Sequence, residues 1–181
     1  MTGMPPPLVT ERLRLLPYSV VTDAQLDGLV AAWDDPEVWR YVGAGRDSFT
    51  RADLDGAMRR AGEPLRDELV VVRTGDGVVM GVCGLYPARL DGVETGEIEL
   101  GYRFGRAFWG QGYGAEAASA VMRWAVQEQG VTSLVSNIQE PNIASRKIVE
   151  RLGFVVREKR PMALDPARVE LWYAWQAPAS G

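Results

Sequence analysis

The sequence contains no histidine. That absence excludes Ser-His-Asp triads, HExxH metalloproteases, His-ligated zinc or iron, and imidazole acid–base catalysis. There is one cysteine, Cys83, so an intrachain disulfide and any CxxC redox or zinc motif are excluded as well. No apolar run approaches the roughly 20 residues that a bilayer-spanning helix needs, so no membrane association is expected. Met1 to Pro7 has neither a basic n-region nor an apolar h-region, so no signal peptide is read there and a cytoplasmic protein is expected. A basic excess is missing too: 20 Lys and Arg stand against 24 Asp and Glu, a net charge of −4. A duplex-binding surface usually carries such an excess, which argues against nucleic acid as the principal partner. Acid–base chemistry is left to carboxylates, hydroxyls, amines, backbone groups or water.

What is present fits one domain. A chain of 181 residues, 46% hydrophobic and 24% charged, can bury a core without staples. Leu8 to Leu16 alternates as a half-exposed strand, with loose tails expected at 1–7 and 177–181. Asp23 to Trp33 repeats Leu26, Leu29, Val30 and Trp33 at helical spacing, with Asp23 as its cap. Pro36 opens a second short helix that Gly43 stops, and Thr50-x-x-Asp53 caps a third, running to Ala61. The period then changes to two. Glu68–Arg73, Val78–Tyr86 and Glu97–Phe104 read as an antiparallel meander turned at Thr74–Gly77 and Leu90–Gly92. A helix from Gly112 to Gln129 follows, then strand Val131–Ile138, helix Asn142–Leu152, strand Phe154–Lys159 and a closing strand Arg168–Gln176. This order predicts a single α+β domain over 8–176, with a mixed, mostly antiparallel sheet and helices packed on it.

The glycine cluster before the long helix carries most of the chemistry. Gly110, Gly112 and Gly114 stand at alternate positions ahead of an amphipathic helix. Glycine allows close backbone approach, and a helix N-terminus offers unpaired N–H donors, so the pair suits a phosphate or pyrophosphate. The plainer alternative is a turn that only needs flexible residues. Gly105-x-x-x-x-Gly110 has P-loop spacing, but Gln111 stands where lysine is required and no Ser or Thr follows. Gly112-x-Gly114-x-x-Ala117 fits the dinucleotide fingerprint, yet it lies behind an antiparallel meander rather than after the first strand of a parallel sheet.

The segment EIELGYRFGRAFWGQGYGAEAASAVMRWA resembles the signature region of the GNAT acetyltransferases. Trp109-Gly-Gln-Gly112-Tyr-Gly114 matches the two glycines of their Q/R-x-x-G-x-G/A motif, with Trp109 where Gln or Arg is usual. Asn142-Ile-Ala-Ser145 followed by Leu152-Gly-Phe154 resembles the family's N-x-x-S…LGF segment. Thr10-Glu-Arg-Leu-Arg-Leu15, with Trp33-Asp-Asp-Pro-Glu-Val-Trp-Arg-Tyr41 behind it, resembles the branch that acetylates N-terminal alanines of ribosomal proteins. The resemblance covers residues 8–175.

The resemblance implies a GNAT fold with a splayed central strand pair, acetyl-CoA as cosubstrate, no metal, and direct attack of a primary amine on the thioester. The acceptor it implies is a ribosomal-protein N-terminus; a small-molecule amine and a non-catalytic acyl-CoA-binding module are the alternatives. A homodimer is compatible with it. Gln111, Gly112, Tyr113, Gly114 and Ala115 would hold the CoA pyrophosphate by backbone N–H groups. The edge of Tyr102 to Phe104 would pair with the pantetheine arm where it splays from Val135 to Ile138, and a backbone N–H near Leu100 to Tyr102 would receive the oxyanion. Asn142 would orient that arm, and it equally suits a helix N-cap. Glu99 is the candidate base, acting through water, and Ser145 the hydroxyl for the departing sulfur; a solvated strand face and a capping serine are their plainer readings. The tyrosine usual four residues before the helix-ending glycine is Val149 here. Trp33, Trp39 and Tyr41 suit either an acceptor wall or the core, as do Glu170 and Trp172. Arg157, Lys159 and Arg160 suit the CoA 3′-phosphate or a solvated strand end.

Overall fold

A computed structural model describes residues 6–43, 45–60, 67–163 and 165–178. Most of both expected tails, and Ala61, lie outside the described residues. The chain runs β1 (Leu8–Val9), β2 (Leu13–Pro17), α1 (Asp23–Trp33), α2 (Pro36–Trp39), α3 (Arg51–Arg60), β3 (Asp67–Arg73), β4 (Val79–Leu90) and β5 (Val93–Phe104). It continues with α4 (Tyr113–Gln129), β6 (Ser133–Gln139), α5 (Ile143–Arg151), β7 (Val155–Pro161) and β8 (Val169–Gln176).

The strands form one eight-stranded sheet in the order β1-β2-β3-β4-β5-β6-β8-β7. Helices cover both faces. One core lies beneath α4 and α5 and takes Leu13, Leu15, Leu69, Val71, Leu100, Val121 and Tyr173. The other lies beneath α1 to α3 and takes Leu16, Leu29, Trp33, Leu54, Val70 and Val82. Because β3 is buried on both faces, its centre reads as an unbroken apolar run rather than an alternation.

Three expectations need correcting. Leu8 to Leu16 is two short strands rather than one, paired antiparallel with Leu8 opposite Leu15. The chain reverses at Thr10–Arg12, where Thr10 N–H donates to Leu13 C=O at 2.9 Å. The cap of α1 is Thr22, one residue before Asp23, in a reciprocal capping box with Gln25. The β4–β5 hairpin is also longer than the alternation suggested, because Asp91 and Gly92 turn it with positive φ and the strands pair down to Leu90 and Val93.

The sheet is antiparallel throughout except between β5 and β6, and there the register is a single parallel rung, Glu99 opposite Val135. Ser136 Oγ supports the rung by donating to Leu100 C=O at 3.0 Å. Beyond it the two strands part. This places a gap in the middle of the sheet, bordered by Gly101–Phe104 on one side and Asn137–Gln139 on the other.

Candidate active site

The N-terminus of α4 stands near the far end of β5. Its cap is Gly112, at φ +83°, a backbone setting that L side chains rarely adopt, and no side chain caps the helix. The first turn's N–H groups are therefore left for another partner. At Gly114, an added Cβ would stand 3.0 Å from Ile148 Cδ1, so glycine lets α4 and α5 approach closely. Gln111, Gly112, Tyr113, Gly114 and Ala115 thus form a turn and first helical turn that no side chain caps.

Long-range contacts hold this turn in place. Glu116 accepts from Thr10 Oγ1 at 2.5 Å, from Arg12 N–H at 3.0 Å and from Arg12 Nε at 2.7 Å. Arg12 Nη1 also donates to Gln111 C=O at 3.1 Å, and the guanidinium lies 4.4 Å above the Tyr113 ring. The β1–β2 reversal is thus tied to the helix that follows the glycines.

Along β5 the faces alternate. Glu97, Glu99, Gly101 and Arg103 share one sheet face, where Arg103 meets Trp33 and Trp39 of α1 and α2. Ile98, Leu100, Tyr102 and Phe104 join the core beneath α4 and α5. Glu99 occupies the last rung before the gap. Its carboxylate lies deep among protein atoms although the residue keeps some contact with solvent, the arrangement of a group at the bottom of a cleft. Burial pushes its pKa up to about 7, aided by the nearby negative charge of Glu170 and opposed by a 3.4 Å hydrogen bond from Asn137 N–H. Glu97 has the opposite fate. Its bidentate pairing with Arg157 holds its carboxyl below the ordinary value.

Sequence reasoning missed Asn137. Its backbone serves Glu99, and its side-chain Nδ2 donates to Glu170 Oε2 at 3.0 Å. Glu170 is 8% exposed and also accepts from Trp172 Nε1 at 3.0 Å. Only the register of β6 against β5 and β8 brings these residues together, and no local pattern encodes it. Tyr86 was missed as well. Opposite Glu99 on β4, it lies over Gly101, where a Cβ would come within 2.9 Å of the ring, and donates to Glu68, as does Tyr18.

On the other face, Tyr102 reaches across to α5, where its hydroxyl donates to Ser145 C=O at 3.0 Å. Leu100 C=O receives Ser136, so this backbone edge faces β6; by alternation the N–H and C=O of Tyr102 face the gap. Phe104 is buried, and its carbonyl accepts from Trp109 Nε1 at 2.8 Å. Asn142 caps α5 by accepting from Ser145 N–H at 3.2 Å. Val149, where a tyrosine was missing from the pattern, is fully buried.

The remaining candidates separate. Trp33 and Trp39 belong to the core, holding the Arg103 guanidinium at 4.9 and 4.1 Å from their rings. Tyr41 lines a cavity of about 280 Å³ with Arg40, Gln139 and Arg168. Arg157, Lys159 and Arg160 are paired with Glu97, Glu140 and Asp91. Cys83 is buried, and burial pushes its thiol well above the ordinary range. Among the described residues no group of His, Cys, Asp or Glu is arranged to hold a metal ion, and no helix is long and apolar enough to cross a membrane.

These features have counterparts in known proteins. Residues 12–155 match the family model described as the acetyltransferase (GNAT) domain. The uncharacterized protein YkkB of Bacillus subtilis is 30% identical over 149 residues, covering 81% of this chain and 83% of its own. The uncharacterized N-acetyltransferase p20 of Bacillus licheniformis is 28% identical, covering 81% of each. A crystal structure of a GNAT-family acetyltransferase from Bacillus anthracis superimposes with a TM-score of 0.77 at 18% identity, covering 94% of this chain and 98% of that one. The eight-stranded sheet with its flanking helices is the GNAT fold. With its family model matched over most of its length, the chain belongs to the GNAT acetyltransferases, enzymes that transfer an acetyl group from acetyl-CoA.

Proposed function

We propose that the protein transfers acetyl from acetyl-CoA to the α-amine of a peptide or protein N-terminus, by direct attack on the thioester. The observation that carries this reading is the sheet gap beyond the Glu99–Val135 rung, which shares its end of the sheet with an uncapped helix N-terminus. A long, amide-rich arm suits an open strand edge, and a pyrophosphate suits the unpaired N–H groups of Gln111 to Ala115. In this reading the Tyr102–Phe104 edge takes the pantetheine, chiefly at Tyr102 because Trp109 occupies the Phe104 carbonyl. Asn142 orients the arm while capping α5, and Tyr102 N–H receives the oxyanion.

Glu99 then serves as base through a water. A carboxylate titrating near 7 matches an α-amine of roughly 7.7–8.0, whereas a lysine-type amine at about 10.4 would remain almost wholly protonated. The acidic cleft of Glu99 and Glu170 favours a cationic acceptor of that class. A ribosomal-protein N-terminus is one member; a free amino acid belongs to the competing small-molecule reading.

A panel of N-terminal peptides, amino acids, polyamines and aminoglycosides, scored by mass for acetylated product, tests the proposal. Preference for N-terminal peptides supports it, and turnover confined to free amino acids, polyamines or aminoglycosides defeats it. Calorimetry with CoA, without added metal, checks donor binding separately.

A further inference from the structure

Direct transfer leaves negative charge on sulfur, and the site must answer it. The hydroxyl suggested by the sequence is Ser145, but Ser145 Oγ makes no hydrogen bond among the described residues. Its carbonyl instead receives a neighbouring hydroxyl, that of Tyr102. Val149 offers nothing, being aliphatic and sealed in the core.

Tyr102 has three properties that bear on this charge. Its backbone edge faces the gap. Its side chain leaves β5 on the face opposite Glu99 and reaches α5, so the phenol borders the gap along its helix side. Its hydroxyl proton is committed only to Ser145 C=O, which belongs to the first turn of α5 and keeps its place in the helix ladder when that proton turns away. Burial holds the phenol neutral well past the pH range in which amines react.

We propose that Tyr102 is the hydrogen-bond donor that stabilises the departing CoA thiolate, with Ser145 serving as its backbone anchor. The inference rests on the reading that the thioester lies in the gap. Base and donor then stand on opposite faces of the sheet: the amine arrives past Glu99, and the sulfur departs toward Tyr102. As the carbon–nitrogen bond forms, the amine proton passes to Glu99 through water. The carbon–sulfur bond breaks with its electron pair on sulfur, and the Tyr102 O–H holds that charge without surrendering its proton. Solvent later protonates the thiolate and receives the proton held by Glu99, so both groups return to their starting states.

A hydrogen bond to a charged group of this kind corresponds to about ten- to a hundredfold in rate. Tyr102→Phe should therefore lower kcat by that factor and leave the calorimetric affinity for acetyl-CoA within about threefold. A structural role could also slow the enzyme, so the deciding measurement is a pH–rate profile with tetrafluorotyrosine at position 102, whose four ring fluorines acidify the phenol enough to offset the effect of burial. A donor that must keep its proton will then give a falling alkaline limb absent from the parent. The acceptor is any primary amine that the parent acetylates, so failure of the α-amine assignment leaves this test in force. A Phe variant with parental kcat overturns the proposal. So does a fluorotyrosine profile without the new limb, or a Ser145→Ala variant that alone reproduces the whole loss.

Discussion

Glu99 and Glu170 are joined through a single residue, Asn137, whose backbone N–H donates to one and whose side-chain amide donates to the other. The negative charge of Glu170 opposes the ionisation of Glu99, adding to the burial that raises the pKa of Glu99. If Glu99 is the base, the rate should fall on the acid side of about pH 7. Glu99→Gln should lower kcat by about 10²–10⁴-fold and flatten that limb, with little change in acetyl-CoA affinity. Glu170→Gln keeps an acceptor for Asn137 but removes the charge, so the limb should move to lower pH. A Glu99→Gln enzyme with the parental profile would reduce Glu99 to a cleft-lining carboxylate.

Stability should carry the same signature. The folded protein binds the Glu99 proton more tightly than the unfolded chain, so between pH 4.5 and about 7 the native state holds more protons and loses stability as pH rises. Glu99→Gln has no such loss. Relative to the parent, the variant should gain about 2–3 kcal/mol on going from pH 4.5 to 8, an upper estimate from the shift. Urea unfolding at the two pH values measures it, and parallel pH dependences in parent and variant would show that the carboxylate is well solvated.

The two cradle glycines should fail differently. Gly112→Val places a branched residue at φ +83° beside the N–H groups proposed to hold the pyrophosphate, so CoA affinity should fall together with a strain cost of about 1–3 kcal/mol. Gly114→Ala puts its methyl 3.0 Å from Ile148 Cδ1 and should lower the melting temperature by wedging α4 from α5. Adding Ile148→Ala to Gly114→Ala should restore part of that temperature. No restoration would mean that the backbone at Gly114, rather than the side-chain clash, sets its cost.

Cys83→Ala should keep most of the activity, since the thiol is sealed in the core and direct transfer needs no thiol intermediate. In the folded parent this thiol should resist aromatic disulfide reagents until denaturant is added. Label from acetyl-CoA trapped on Cys83 of the parent would contradict the direct route.

The helices were legible because their signals are local: the Thr50–Asp53 box, Pro36 at the start of α2, Asn142 before α5. The split of β1 from β2 was not, because the reversal at Thr10–Arg12 is held by Glu116, over a hundred positions away. Within the candidate site, the glycines, Glu99 and Asn142 stand inside recognisable spacings. Asn137 and Tyr86 do not. Their neighbours are set by strand register, to which alternation along a single strand gives no access.

The sheet is continuous across its middle through one rung. Mechanically it is two half-sheets, β1 to β5 and β6 to β8, hinged at Glu99 and Val135. A slender molecule with amides along its length, laid in the opening, would supply the missing rungs and act as a splint between the halves. Donor binding would then be felt as rigidity well beyond its own contacts. Amide hydrogens along both banks of the opening should become slow to exchange together, and the halves should melt as one body rather than loosen at the seam.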